Sequence, residues 1–102
     1  MPHAKTLKKE DILTTLSEHK AFLQKNYDVD KIGLFGSFAK GTQDAQSDID
    51  IYVEFNRKTF RNIAGLWVYL ENLYHRKIDL LHKHQQSKGA IFEQIQKEVI
   101  YG

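Results

Sequence analysis

The chain has 102 residues, of which 41% are hydrophobic, and a formal charge of +2 from 15 basic and 13 acidic residues. This length fits one compact domain over residues 1–102 and leaves no room for a second. Because the two signs of charge are interspersed along the chain, bulk electrostatics gives no reason to expect binding to nucleic acid or to a membrane surface.

Three features that the sequence lacks exclude further classes of protein. The chain has no cysteine, which excludes disulfides and thiolate metal sites. Residues 1–15 lack the apolar segment of a secretory signal. The longest apolar run, residues 63–70, is far shorter than the ~20 residues of a membrane span. The sequence therefore predicts a cytoplasmic protein.

Hydrophobic periodicity predicts elements in the order α-β-β-α-β-α. A helix over residues 8–27, capped by Thr6, is followed by a short buried strand over 31–35 and a loop over 38–46. Alternation then predicts a strand over 48–55, followed by an apolar helix over 60–74 and a third strand over 77–82. A linker over 85–89 precedes a last helical stripe: Ile91, Phe92, Ile95 and Val99. The predicted fold is α/β (α+β), a short mixed β-sheet with helices packed on one face and acids on the other.

Gly36 and Ser37 follow directly after the first predicted strand. A glycine turn at this point can bring backbone N–H groups close to a phosphate, because no side chain stands in the way. Ser37 adds a hydroxyl donor, Lys40 adds positive charge nearby, and Gly41 lets the chain leave the turn. A Gly-Ser pair alone is usually a surface turn, so its surroundings decide whether it is a phosphate site.

Two carboxylates begin the next predicted strand, with ten residues between Ser37 and Asp48. Asp48 and Asp50 are two positions apart, so in a strand both side chains project from one face, about 7 Å apart. Like charges held this close repel unless a cation lies between them, and oxygen ligands suit Mg²⁺ or Mn²⁺ better than zinc. The alternative for a lone Asp-x-Asp is an ordinary solvated strand face.

Asp79 is the candidate for a third carboxylate. It interrupts the apolar residues of the third predicted strand, where an unpaired carboxylate would be costly to bury. A third acid near the pair would permit two-metal chemistry, in which one ion activates an attacking hydroxyl and the other steadies the leaving pyrophosphate. Together with the glycine turn, the three acids predict nucleotidyl transfer.

The combination resembles a known family. Gly-Ser, a ten-residue spacer and Asp-x-Asp form the signature of the nucleotidyltransferases of the DNA polymerase β superfamily, and Gly36, Ser37, Asp48 and Asp50 match it without a gap. The wording Phe-Gly-Ser-Phe-Ala-Lys-Gly and Ser-Asp-Ile-Asp-Ile is similar to the minimal nucleotidyltransferases, the MntA-like antitoxins of HEPN-MNT modules. Many relatives carry arginine where Lys40 stands; lysine keeps the charge but loses the planar fork.

The resemblance implies an activity and a partner. Members of this group pair with a HEPN-domain RNase toxin and act as its antitoxin by transferring AMP from ATP to a toxin tyrosine. On that basis, Asp48, Asp50 and Asp79 bind metal and act in catalysis. The implied cofactor is Mg²⁺, as two ions, with Mn²⁺ as the alternative, and ATP is the substrate. Three residues of the turn would hold the nucleotide: Gly36, Ser37 and Lys40.

Two other functions stay open at this point. One is a non-catalytic antitoxin that neutralises a HEPN toxin by binding alone, although the intact acids argue against it. The other is a small-molecule nucleotidyltransferase of the aminoglycoside type, although the helical substrate domain of such enzymes is absent from this sequence. Under either antitoxin hypothesis, the chain forms a complex with the toxin and makes no direct contact with nucleic acid.

Two further groups of residues suggest sites that we discount. His82 and His84 lack a third ligand at metal-site spacing and are interpreted as solvated loop residues. Tyr69 and Tyr74 are harder to bury in the core and would suit a surface that binds a partner. Helical spacing assigns five other residues to the core stripe of the 60–74 helix: Ile63, Leu66, Trp67, Leu70 and Leu73.

Overall fold

A computed structural model describes residues 7–44, 46–82 and 90–102. The predicted Thr6 cap, the 85–89 linker and His84 lie outside these ranges. Helix α3 has the predicted bounds, and the predicted first helix and three strands begin within two residues of the observed starts. The elements are α1 (Lys9–Tyr27), β1 (Val29–Phe35), α2 (Gly36–Lys40), β2 (Ile49–Phe55), α3 (Phe60–Tyr74), β3 (Ile78–His82), α4 (Ala90–Glu98) and β4 (Ile100–Tyr101).

The four strands form one mixed sheet in the order β3-β2-β1-β4. Strand β1 pairs antiparallel with β2 and with β4, whereas β2 and β3 are parallel. The parallel pair needs a crossover, and α3 supplies it. This pairing places Asp50 opposite Phe35 on one side and opposite Asp79 on the other. The mixed sheet with helices confirms the predicted fold class.

Helices α1 and α3 cover one face of the sheet. The Thr59 side chain caps the start of α3 by accepting a hydrogen bond from the Asn62 backbone N–H at 3.0 Å. From β2, the alternate residues Ile49, Ile51 and Val53 point into this core and are fully buried. Leucines from both helices meet them there: Leu16, Leu23, Leu66 and Leu70. Asp50 and Glu54 therefore lie on the opposite face, as the alternation predicted.

The end of the chain forms a strand that the sequence analysis did not predict. Strand β4 pairs with β1 and places Tyr101 beside Gly33, while the preceding Val99 occupies the space over this glycine. The Tyr101 ring meets the edge of the fully buried Tyr52 ring on the acid-bearing face. A strand of two residues has too little periodicity to be recognised from sequence.

The assignment of Trp67 to the core was wrong. Its side chain is 37% exposed, and its indole Nε1 donates a hydrogen bond to the Ile78 carbonyl of β3 at 2.8 Å. Tyr69 and Tyr74, predicted to be harder to hide, are instead partly buried and bonded, to His19 and to the Ile12 carbonyl. Within the described residues, no helix is both long and apolar enough to cross a membrane.

Candidate active site

The turn after β1 is built around Gly36. This residue has a positive φ of 76°, which favours glycine, and it begins the five-residue helix α2. The helix ends at Lys40 and is capped by Gly41, which also has a φ of 76°, and the Thr42 N–H then donates to the Ser37 carbonyl at 2.9 Å. The predicted 38–46 loop thus has a helical turn at its start and a fixed exit.

Asp50 lies directly against this turn. A Cβ added to Gly36 would overlap Oδ2 of Asp50 and lie 2.8 Å from its Cγ. The Ser37 backbone N–H donates a hydrogen bond to the same carboxylate. The missing side chain of Gly36 therefore admits the chain's own carboxylate, whereas the sequence analysis expected it only to make room for a phosphate. The predicted turn and Asp50, one of the candidate catalytic acids, form one structural unit.

Asp79 joins Asp50 through the strand register. The two residues are paired across β2 and β3, and their side chains share a hydrogen bond. Burial raises the pKa of Asp50 from 3.8 to about 6, and the charges of Asp79 and Asp48 add to the rise. Asp79 itself is exposed. The predicted reason for singling it out, the cost of burying it, does not apply; its pairing with Asp50 is what brings it into the site.

Asp48 is held by its neighbours at the start of β2. The Ser47 carbonyl accepts a hydrogen bond from the Arg76 guanidinium at 2.9 Å, and the Ile49 N–H donates to the Lys77 carbonyl at 3.1 Å. The Lys77 ammonium lies 4.0 Å from Oδ2 of Asp48. The connection between α3 and β3 thus anchors the backbone on both sides of Asp48.

Arg76 is a positioning residue that the sequence analysis missed. Besides bonding Ser47, its guanidinium lies 5.5 Å from the centre of the Phe38 ring, which belongs to α2 and is 1% exposed. Arg76 therefore links the helix after the glycine turn to the segment before Asp48. Its position immediately before the third predicted strand gave no signal for this role, because the contact depends on the crossover.

Lys40 is the last residue of α2, at the opposite end of this helix from the Gly36 turn and β1. Its ammonium is 3.2 Å from a carboxylate oxygen of Glu98, and the two side chains are 57% and 32% exposed. An ion pair this exposed contributes at most about 1 kcal/mol. The Lys40 side chain can therefore leave Glu98 when a stronger anionic partner is nearby.

The carboxylates of Asp48, Asp50 and Asp79 offer oxygen donors, the ligand type that Mg²⁺ prefers. Among the residues that the structure describes, no three His, Cys, Asp or Glu side chains form a group that would hold a metal ion by themselves. Mg²⁺ does not require such a group, because it is usually held by one or two carboxylates while substrate phosphates and water complete its shell. Burial is the main cause of the raised pKa of Asp50, and the charges of Asp79 and Asp48 add to it; a bound cation would favour the ionised carboxylate.

One family of known proteins matches most of the chain. The family described as Polymerase beta, Nucleotidyltransferase matches residues 17–102. The chain therefore belongs to this family of nucleotidyltransferases and is an enzyme.

The names of its relatives are more specific than the name of the family. A candidate protein adenylyltransferase of Methanocaldococcus jannaschii is 39% identical over 94 residues, which cover 89% of this chain and 94% of the relative. The protein adenylyltransferase MntA of Thermococcus cleftensis is 34% identical over 93 residues, covering 90% of this chain and 93% of the relative. The chain is thus similar to protein adenylyltransferases over most of its length.

Two solved structures share the fold. One, described as a candidate minimal nucleotidyltransferase, has a TM-score of 0.74 at 25% identity. The match covers 95% of this chain and 98% of the solved chain. The other comes from a toxin–antitoxin structure with AMP-PNP and has a TM-score of 0.62 at 24% identity. This match covers 82% of this chain and 69% of the solved chain. At that identity the second likeness concerns the fold alone.

Proposed function

We propose that this chain is an antitoxin that transfers AMP from ATP, in a Mg²⁺-dependent reaction, to a tyrosine hydroxyl of a cognate HEPN toxin in the cytoplasm. The observation that carries the proposal is the convergence of Asp50 and Asp79 beside the Gly36 turn. The names of the two adenylyltransferase relatives support AMP as the transferred group. The toxin–antitoxin structure with AMP-PNP, which shares the fold, motivates the choice of partner.

The residues divide the chemistry between them. Asp48 and Asp50 would hold Mg²⁺, which neutralises phosphate charge and orients the triphosphate when it is bound. Ser37 would donate to the triphosphate from its hydroxyl, which bonds no other residue in the described ranges. Asp79, exposed beside Asp50, would accept the proton of the attacking tyrosine. The tyrosine oxygen then bonds the α-phosphorus, the bond to the bridging oxygen breaks, and pyrophosphate leaves.

A transfer assay tests this function directly. The protein is incubated with ATP, Mg²⁺ and a candidate HEPN partner, and both chains are weighed by mass spectrometry. We expect the HEPN protein to gain the mass of AMP on a tyrosine and to lose its RNase activity, and we expect EDTA to prevent both. Full neutralisation of the toxin without any mass gain would refute AMP transfer and favour an antitoxin that acts by binding alone.

Lys40 is proposed to bind the triphosphate after leaving Glu98. We expect Lys40→Ala to raise KM for ATP about 10-fold with little change in kcat, because a contact made equally in ground and transition states affects binding only. Glu98→Gln, which removes the competing carboxylate, should lower KM or leave it unchanged. If both variants instead leave KM unaltered and lower Tm equally, Lys40 serves only the ion pair.

A further inference from the structure

Helix α3 is apolar on two faces, and only one of them is packed against the sheet. Leu66 and Leu70 belong to the core face and are fully buried. Ala64 lies four positions after Phe60, and Trp67 and Val68 lie three and four positions after Ala64, so these residues share the other side of the helix. We call the four residues Phe60, Ala64, Trp67 and Val68 the outer stripe of α3.

The outer stripe is exposed to an unusual degree. Phe60 is 86% exposed, Val68 59% and Trp67 37%. These are three of the five large hydrophobic side chains that are exposed within the described part of the chain. Single exposed apolar residues are common, but a contiguous patch of them marks an interaction site. The Trp67 hydrogen bond to the Ile78 carbonyl also holds the indole in place, so part of the surface is ordered before any partner binds.

Basic residues flank both ends of the outer stripe. Arg57 and Arg61 are exposed near its start, and Arg61 lies seven positions before Val68, on the same side of the helix. At the other end an open concavity of about 560 Å³ is lined by four residues: Glu71, His75, Arg76 and Lys77. The only acid among these, Glu71, lies 3.4 Å from the Ile78 N–H, which donates to its carboxylate. Lys77 in this concavity approaches Asp48, and Arg76 bonds the Ser47 carbonyl, so the positive charge available to a partner lies mainly at the start of the stripe. An apolar surface with a basic end fits a partner segment that is apolar with acidic residues beside its apolar face.

The outer stripe approaches the candidate active site at Trp67, beside the edge strand β3. Trp67 bonds the carbonyl of Ile78, the residue directly before Asp79. Lys77, which lines the concavity, approaches Asp48. Because the acids lie on the opposite face of the sheet, a protein bound along the stripe would reach them around the β3 edge.

We propose that the outer stripe of α3 is the docking surface for the acceptor protein, and that it takes an amphipathic helix with an apolar face and Asp or Glu on its flanks. The inference rests on the proposed function only for the identity of the partner. A second copy of this chain is the alternative occupant. Parallel self-pairing would place the arginines at the start of each stripe opposite one another, and the state of the chain alone in solution tests self-pairing in either direction.

Binding affinity tests the docking surface independently of catalysis. The HEPN protein used in the transfer assay, titrated by calorimetry without ATP, should bind Phe60→Gln and Val68→Gln about 10- to 100-fold more weakly than wild type, the range expected for hot-spot side chains. Arg61→Glu should slow association and reduce its dependence on salt. Tyr101→Gln is the matched control, since Tyr101 is 46% exposed on β4, at the opposite edge of the sheet. Phe60→Gln, Val68→Gln and Arg61→Glu should keep the wild-type Tm. Tyr101→Gln loses the ring contact with Tyr52, so circular dichroism must show that it is folded before its affinity is compared.

The outcomes separate the two proposals. Unchanged affinity in Phe60→Gln, Val68→Gln and Arg61→Glu would overturn the docking surface, whether or not wild type transfers AMP. Weakened affinity in these variants but not in Tyr101→Gln would support it, even if no AMP transfer is seen. Analytical ultracentrifugation of the chain alone adds a second arm: a dimer of wild type that dissociates in Phe60→Gln would assign the surface to self-association and refute the acceptor as its occupant.

Discussion

Asp50→Asn is expected to reduce AMP transfer by at least about 1,000-fold. Losing one preorganised group that stabilises charge in the transition state lowers the rate by a factor of this order. The carboxylate lies against the Gly36 turn, accepts the Ser37 N–H and shares a hydrogen bond with Asp79, so no other group in the described site can replace it. The measurement is single-turnover transfer of AMP to the HEPN protein at saturating ATP and Mg²⁺.

Glu54→Gln is the matched control for this variant. Glu54 lies on the same strand and the same face as Asp50, but its carboxylate accepts a hydrogen bond from Tyr52 at 2.8 Å. We expect Glu54→Gln to keep near wild-type activity. Retention of more than about a tenth of the activity in Asp50→Asn would show that Asp50 does not act in the transition state.

The same substitution should make the metal-free protein more stable at neutral pH. The pKa of Asp50 is raised to about 6 in the folded state, so between pH 4 and 6 the folded chain binds more protons than the unfolded chain. Stability in EDTA therefore falls as pH rises through this window. Removing the charge should restore roughly 1 kcal/mol above pH 6, after discounting the shift for the partly solvated carboxyl. Tm of Asp50→Asn should then exceed wild type by about 4–8 °C at pH 7.5 and match it at pH 4.

Gly36→Ala is expected to reduce transfer by about 100-fold, because the new methyl group would occupy the position of the Asp50 carboxylate. A displacement of about 1 Å in a catalytic group can cost this much. The variant should also lose about 1 kcal/mol of stability, because a residue with a Cβ is strained at a φ of 76°. The measurements are single-turnover transfer and thermal unfolding.

Gly41→Ala separates the two effects. Gly41 has the same φ of 76°, but nothing lies within 4 Å of a Cβ added there. We therefore expect the same loss of stability with nearly full activity. In the Asp50→Asn background, Gly36→Ala should add little further loss of activity, because the group that it displaces is already inactive. Equal loss of activity in Gly36→Ala and Gly41→Ala would contradict the role given to Asp50.

Residue spacing was sufficient to find the turn, the Asp48 and Asp50 pair and the bounds of α3. Each of these depends on local periodicity, which sequence records directly. Asp79 was also named, but for a reason that does not hold, since the residue is exposed. Trp67 was assigned to the core because α3 is apolar on both faces, and periodicity cannot tell which of two apolar faces meets the sheet.

The sequence by itself determined which chemistry the chain carries, since the side-chain types and their spacing along one turn and one strand are local properties. Only the tertiary structure decided that Asp79 pairs with Asp50, that the space at Gly36 belongs to a carboxylate, and that Arg76 anchors the segment before Asp48. These contacts depend on strand register and on a crossover between distant segments. Such long-range pairings are set by packing of the whole domain, so no short stretch of sequence contains them.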